Sequence, residues 1–316
     1  MQISHRIAEN QLVLSEQASA VIKALAYYNI FNYPLTLPEI EKYAPCTFNQ
    51  LSELEDVLNL LKEKFIVYQF GDFYTLQNEY CLITRRQAGN LAAFNIASKA
   101  KSRSNFIQKF PFVRSVNISG SLSKNYFDDT TDIDYFIITK PGRIWFCRLL
   151  LTAYKKIFLL NSRKYFCINY YIDTAHNEIP DKNLFSATEI VTLRNQTGAG
   201  YYQSFIAANS WVKNYYPNFS PVFSETKTEK PSRLKNIFEY LFAGKAGDII
   251  DKFAFKLTRF FISKKYSNIE REHFEVNLRT SETSSKHHPQ GFQFKVLNEF
   301  DKSCKAIEQK HSVILS

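Results

Sequence analysis

The chain has 316 residues, enough for two or three domains, and 45% of them are apolar, which excludes a disordered protein. Aromatic residues abound, with 28 Phe and 19 Tyr, but there are only 9 glycines; this favours helices with one modest sheet and argues against a glycine-rich dinucleotide binder. The formal net charge of +10 is compatible with nucleic acid, nucleotides or an acidic membrane surface as partners.

From the N-terminus, no basic segment leads into an apolar core, so no signal peptide is expected. The stretch "SAVIKALAYYNIF" is an apolar-periodic helix ended by Asn32 and Pro34. Thr36 and Glu39 form a capping box opening a short helix, "LPEIEKYA", and Thr47 with Gln50 repeats that signature before "FNQLSELEDVLNLLKEK". Leu51, Leu54, Leu58 and Leu61 share one face of that third helix. "FIVYQFGDFYTL" then reads as a hairpin turning at Gly71-Asp72. This order has the rhythm of a winged helix over residues 1–84. Its third helix carries Glu53, Glu55, Asp56 and Glu63 against Lys62 and Lys64, which suits protein docking better than a major groove lined by phosphates.

"ITRRQAGNLAAFNIASKAKSRSNFIQKFP" is a long basic helix ending at Pro111. Strands follow at "FVRSVNISG", "DIDYFIIT" and "KYFCINYYI", with a helix, "IWFCRLLLTAYKKIFLL", between the last two. That helix is interrupted by Arg148, Lys155 and Lys156 and is too short and too charged for a membrane span. Beyond Ser186 the pattern turns helical, with "FSETKTEKPSR" as a charged linker and "RTSETSSKHHPQ" as a polar loop holding His287 and His288. Cys46, Cys81, Cys147, Cys167 and Cys304 form no CxxC pair and read as reduced thiols of a cytoplasmic protein.

Charge is unevenly spread. Between Glu79 and Asp173 the only carboxylates are Asp128, Asp129, Asp132 and Asp134, within a span that carries fifteen Lys and Arg. Such a focus is either a polar turn before an edge strand or a site for cations that in turn hold a polyanion. The turn reading leaves Asp134 unexplained, because it stands between Ile133 and the apolar run "YFII", where an unpaired carboxylate is costly. In a strand Asp132 and Asp134 point the same way, a pair able to hold divalent metal.

A strand, then Gly120-Ser121, then a short helical segment and Asp132-x-Asp134 in an apolar strand resembles the polymerase-beta-type nucleotidyltransferase superfamily, over roughly Val113 to Asp173. The resemblance implies Mg²⁺ or Mn²⁺ on Asp132 and Asp134, nucleotide phosphates against Gly120, Ser121 and Lys124, and transfer of a nucleoside monophosphate from an NTP to a hydroxyl or phosphate acceptor. It also implies a third carboxylate on a neighbouring strand. Asn169 is mid-strand where that acid is expected; Asp173, on the same face by strict alternation, is the candidate to complete a catalytic set with Asp132 and Asp134. If it does not, the site binds nucleotide without transferring it. A third reading is a nucleic-acid binder that uses the basic segment.

The fold expected is therefore α+β: a winged helix over 1–84, a small mixed-sheet nucleotidyltransferase domain with its connecting helix over 85–185, and a helical region over 186–316. No membrane span is expected.

Overall fold

Residues 12–223, 232–265, 280–286 and 291–316 are described in the structure, a computed structural model. The chain is α+β and divides into two units. One comprises Met1–Ala88, Trp211–Ser220 and Phe294–Ser316; the other comprises Gly89–Ser210 and Pro221–Gln293. Both units draw on separated stretches of the chain, whereas the sequence alone suggests three consecutive domains.

In the first unit, helix α1 (Glu16–Asn29) starts at Ser15, whose hydroxyl accepts the Ala18 N–H at 3.2 Å, and it buries Val21, Ile22, Leu25 and Ala26. Helix α2 (Leu37–Tyr43) carries the expected capping box, with the Thr36 N–H donating to Glu39 at 2.9 Å. Helix α3 (Leu51–Glu63) begins later than expected. Gln50 is its cap residue, and Glu53 reaches back to the Asn49 N–H at 2.9 Å, so Thr47 plays no capping part. Leu54, Leu58 and Leu61 are buried but Leu51 is exposed, being in the first turn beyond the packed stripe.

Two-residue strands β1 (Leu12–Val13) and β2 (Leu35–Thr36), and the hairpin of β3 (Tyr68–Phe70) and β4 (Phe73–Thr75), complete this part. β2, β4 and β3 pair antiparallel in that order, and Gly71 takes the left-handed turn conformation. The C-terminus returns to the same unit. Most of the last helix (Phe292–His311) belongs to it, followed by Val313–Ile314, which pairs parallel with β1.

The second unit takes most of helix α4 (Cys81–Gln108) and is built on a five-stranded sheet. Strand β5 (Val113–Ser119) runs antiparallel to β6 (Asp134–Thr139), which runs parallel to β7 (Cys167–Asp173) through the crossover helix α6 (Ile144–Phe158); a single-turn helix α5 (Gly120–Ser123) precedes β6. Helix α6 buries Ile144, Trp145, Cys147 and Leu151 in an apolar cluster with Ile118, Tyr135, Phe166 and Tyr171. The sheet's other face is met by α7 (Leu184–Thr192) and α8 (Ala199–Ala208), whose Phe205 lies 5.0 Å from the Phe136 ring.

The region after Ser186 is not purely helical. It supplies both edge strands, β8 (Arg194–Thr197) beside β5 and β9 (Ser284–Lys286) beside β7. It also supplies α9 (Arg233–Leu241) and α10 (Lys245–Lys265), which are fastened by charged bonds. Arg114 pairs with Glu239 at 2.8 Å, Arg143 with Asp248 at 2.6 Å, and Lys235 donates to the carbonyls of Gln108 and Val113. Asp251 accepts the Phe146 N–H at 2.8 Å and so satisfies an open donor at the start of α6. Among the described residues no helix is long and apolar enough to cross a membrane. His287 and His288 lie outside the described residues.

Candidate functional site

The acidic focus and the Gly-Ser pair meet at one end of the five-stranded sheet. Strand pairing sets Ser119 of β5 opposite Asp134, the first residue of β6, so Gly120 emerges directly beside that carboxylate. Gly120 has φ +65°, and a Cβ there would overlap Asp134 Oδ2, so two independent constraints require glycine. The chain then closes the turn of α5, with Ser121's carbonyl accepting the N–H groups of Lys124 (3.0 Å) and Tyr126 (3.1 Å). Lys124 curls back, donating to Gly120's carbonyl at 3.3 Å and to the Glu189 carboxylate at 2.7 Å.

Asp134 is mostly buried. Burial pushes its carboxyl up to about 7; the Cys167 thiol bond works against that rise, the charges of Asp132 and Glu189 reinforce it, and Asn169 opposes it. The Asn169 amide donates to Asp134 Oδ1, and the Cys167 thiol donates to Asn169 Oδ1 at 3.2 Å. Asp132 does not share the strand with Asp134, as alternation suggested, because β6 starts at Asp134 and Asp132 sits in the loop before it. Its charge still reaches Asp134. Asp128 is a turn residue: it accepts the N–H groups of Thr130 and Thr131 and the Tyr126 hydroxyl, and although burial opposes them these bonds hold its carboxyl below the usual range.

Asp173 is not brought to this site. Register sets Asp134 against Cys167 but Thr139 against Asp173, five residues further along, or about 17 Å at strand rise. A register shift between Tyr135 and Phe136 also breaks alternation in β7: Ile168 and Tyr170 pair with consecutive residues, and Asn169 is the extra one. Beyond that bulge Asn169 and Asp173 no longer share a face by counting. Asp173 is 1% exposed and is committed to a turn, accepting Ala175 N–H (2.9 Å), His176 N–H (3.0 Å) and bonding the His176 ring at 2.9 Å. As a member of a catalytic set with Asp132 and Asp134, it is in the wrong place.

What opens above Asp134 is a cavity of about 80 Å³ on the α7 face, lined by Gly120, Asp134, Phe136, Asn169, Glu189 and Lys286 together with apolar neighbours. The rings of Phe136 and Tyr170 stack at 5.1 Å along its wall. Sequence reasoning missed Glu189. The available signal was a glutamate within "SATEIVTL", a run otherwise short of charge, on a helix whose neighbours Ile190 and Val191 are buried. Lys286 was missed too, because its strand is three polar residues long; it bonds Gln293 at 2.8 Å and Asp181 at 3.4 Å.

Among the described residues, no three His, Cys, Asp or Glu side chains form a group arranged to hold a metal ion. Gly120, Lys124, Asp134 and Asn169 come together with Glu189; Asp132 and Ser121 lie next to them in the chain, and Asp173 does not join. Compared with known proteins, the chain matches no family model, no curated protein and no solved structure.

Proposed function

We propose that the sheet unit is a nucleotide-binding module of the polymerase-beta nucleotidyltransferase type, with Asp132 and Asp134 holding Mg²⁺ or Mn²⁺ and with no third carboxylate to complete transfer. One observation carries this reading: Gly120 abuts the Asp134 carboxylate, while the adjacent strand offers Asn169, a neutral amide, where a base is needed. An amide can bond a carboxylate or a cation but cannot take a proton from an attacking hydroxyl.

The residues fit a hard divalent cation. The carboxylates of Asp132 and Asp134 are oxygen donors of the kind such ions take, while Asn169 turns its amide N–H toward Asp134. A buried carboxyl whose ionisation is disfavoured by burial and by two neighbouring acids is stabilised as an anion by a nearby cation. When bound, the ion neutralises phosphate charge. The chain's own groups do the rest. Gly120 lets phosphate oxygens approach the backbone, Lys124 adds a cation beside them, and the Phe136 and Tyr170 rings offer an apolar wall for a base.

Calorimetry with each NTP and Mg²⁺ tests this. Wild type should bind at least one NTP in a Mg²⁺-dependent way, and Asp134→Asn should lose that binding while its melting remains cooperative. NTP binding unchanged in Asp134→Asn defeats the proposal.

One observation favours a second reading, in which the module transfers a nucleoside monophosphate to a hydroxyl or phosphate acceptor. Glu189 lines the same cavity, and although it pairs with Lys124 its carboxylate stands close enough to influence Asp134. Pyrophosphate release from labelled NTP with cell extract as acceptor source, abolished by Glu189→Gln, would establish that reading and replace the first.

The other unit supports a docking role. Its order of helix, strand, two helices and hairpin, paired β2-β4-β3, supports reading it as a winged helix. On α3, Glu55, Asp56 and Glu63 are exposed, a poor surface for duplex phosphates.

A further inference from the structure

The face of β7 turned toward α6 carries a second cavity, of about 130 Å³, with a different chemistry. Helix α6 contributes Arg148, Thr152 and Lys155, spaced by four and three residues so that they stack on one side, and the loop before β7 adds Arg163. Phe166 and Tyr171 form the floor, and no residue lining the cavity is acidic. Arg148 and Lys155 are half-buried, and Arg163 is exposed.

Among the described residues, the fully buried cations are all partnered. Arg86 pairs with Glu39, Arg114 with Glu239, Arg143 with Asp248, and Lys235 caps backbone carbonyls. In contrast, the side chains of Arg148, Lys155 and Arg163 make no hydrogen bond or ion pair among the described residues. Arg148 lies over the rings of Tyr171 (5.6 Å) and Trp145 (5.9 Å), which hold it without cancelling its charge. Burial lowers the pKa of Arg148, and that of Lys155 is lowered by burial and by the nearby charges of Arg163, Arg148 and Lys156. Three cations in a half-closed, acid-free cavity repel one another, and an anion relieves both the repulsion and the lost solvation.

We infer that this cavity binds the phosphate group of a small molecule, a ligand separate from any nucleotide over Asp134. A phosphate monoester carries about −1.5 to −2 charge at neutral pH and three acceptor oxygens, which three cationic side chains and the Thr152 hydroxyl can serve. A nucleic-acid backbone fits poorly, because two of the three cations, Arg148 and Lys155, are half-buried within a small cavity, and a polymer needs an open basic groove. Asn169 lines this cavity as well as the one over Asp134, so a bound phosphate would sit beside the nucleotide site across a single strand.

The inference does not depend on the proposed function, and its test is run without nucleotide or divalent cation. Inorganic phosphate is titrated into the full chain by calorimetry at constant ionic strength. Saturable binding is expected, weakened about tenfold or more by Lys155→Gln and by Arg163→Gln, and retained in Asp134→Asn. Cooperative melting curves establish that both basic variants fold. Absence of saturable binding, or equal binding in folded variants, overturns the inference. A second arm adds Mg²⁺ and saturating NTP. Retained phosphate binding is expected, whereas displacement by NTP would assign these cations to the nucleotide's own phosphates and overturn the claim of a separate ligand. Loss of NTP binding alone, with phosphate binding intact, would count against the nucleotide reading only.

Discussion

Strand β7 separates two cavities that treat charge in opposite ways. On the α7 side the acids are answered inside the protein: Asn169 bonds Asp134, and Lys124 pairs with Glu189. On the α6 side Arg148, Lys155 and Arg163 face a cavity that no carboxylate lines. The first is close to balanced and needs a cation mainly to ionise Asp134 fully; the second is unbalanced until an anion arrives. The contrast shows that a conspicuous charge cluster can be well compensated, while an inconspicuous one is not.

The most damaging change to the acidic side is Gly120→Ala. The added methyl group meets Asp134 Oδ2, and the residue must also hold a left-handed φ, so either the carboxylate or the turn into α5 must move. A loss of roughly 2–4 kcal/mol in denaturant unfolding is expected, together with loss of nucleotide binding. Phosphate binding on the α6 side should survive in the folded fraction. A variant as stable as wild type would show that the close approach is not a constraint.

Next in size is the pH response of Asp134. In the unfolded chain its carboxyl titrates near 3.8, but in the folded chain it keeps its proton to about 7. Between those values the folded state binds more protons, so stability falls as pH rises and levels off above about 7. Without divalent cations, Asp134→Asn should therefore gain on wild type from pH 4 to pH 8, by on the order of 3 kcal/mol. Mg²⁺ should flatten the wild-type slope. Parallel slopes for the two proteins would mean that Asp134 carries no such burden.

The acidic focus was legible because Asp128 to Asp134 stand in a stretch without other acids, and Gly120 precedes them at a spacing that strand pairing turns into contact. The basic cavity was not legible. Its cations looked like three of fifteen in a basic segment, and only the helical repeat of α6 and the return of the chain at Arg163 gather them. Asp173 was misplaced for a related reason: counting by twos holds until a bulge, and nothing in "KYFCINYYID" marks Asn169 as the inserted residue. Polar edge strands such as "RNQT" and "SSK" show no alternation of apolar residues, so the sheet's edges were hidden in a region read as helical. In the other unit, the helical periodicity of α1 and α3 and the hairpin glycine made the main elements readable. The contribution of the last helix and Val313–Ile314 depends on pairing across some 300 residues, which local sequence does not announce.

Asn169→Asp bears on both cavities at once, because the residue lines each. A carboxylate there replaces the amide donor with a like charge against Asp134, and a cost of about 1–2 kcal/mol is expected without divalent cations. With Mg²⁺ the third carboxylate should reverse that cost and tighten cation binding about tenfold, making the acidic side as dependent on its ligand as the basic side now is. Phosphate binding should weaken, since the new charge competes for the same cations. Thermal melts with and without Mg²⁺ read the first effect and phosphate calorimetry reads the second; a destabilisation that Mg²⁺ does not relieve would place the cation site elsewhere.

The smallest expected effect comes from Lys124→Ala. Lys124 and Glu189 are 15% and 31% exposed at their side chains, so their ion pair is partly screened and contributes about 0.5 kcal/mol to stability. Its larger consequence is electrostatic. With Lys124 gone, Glu189 faces the cavity uncompensated, and its charge adds to the influence it already exerts on Asp134. The acidic side should then resemble the basic side in miniature, holding an uncancelled charge that a ligand of opposite sign relieves. Mg²⁺ alone should bind Lys124→Ala slightly more tightly than wild type, whereas NTP with Mg²⁺ should bind less tightly if, as proposed, Lys124 faces the nucleotide's phosphates. Opposite signs for the two titrations would fix Lys124 as a phosphate-side group; equal weakening of both would reduce it to a structural partner of Glu189.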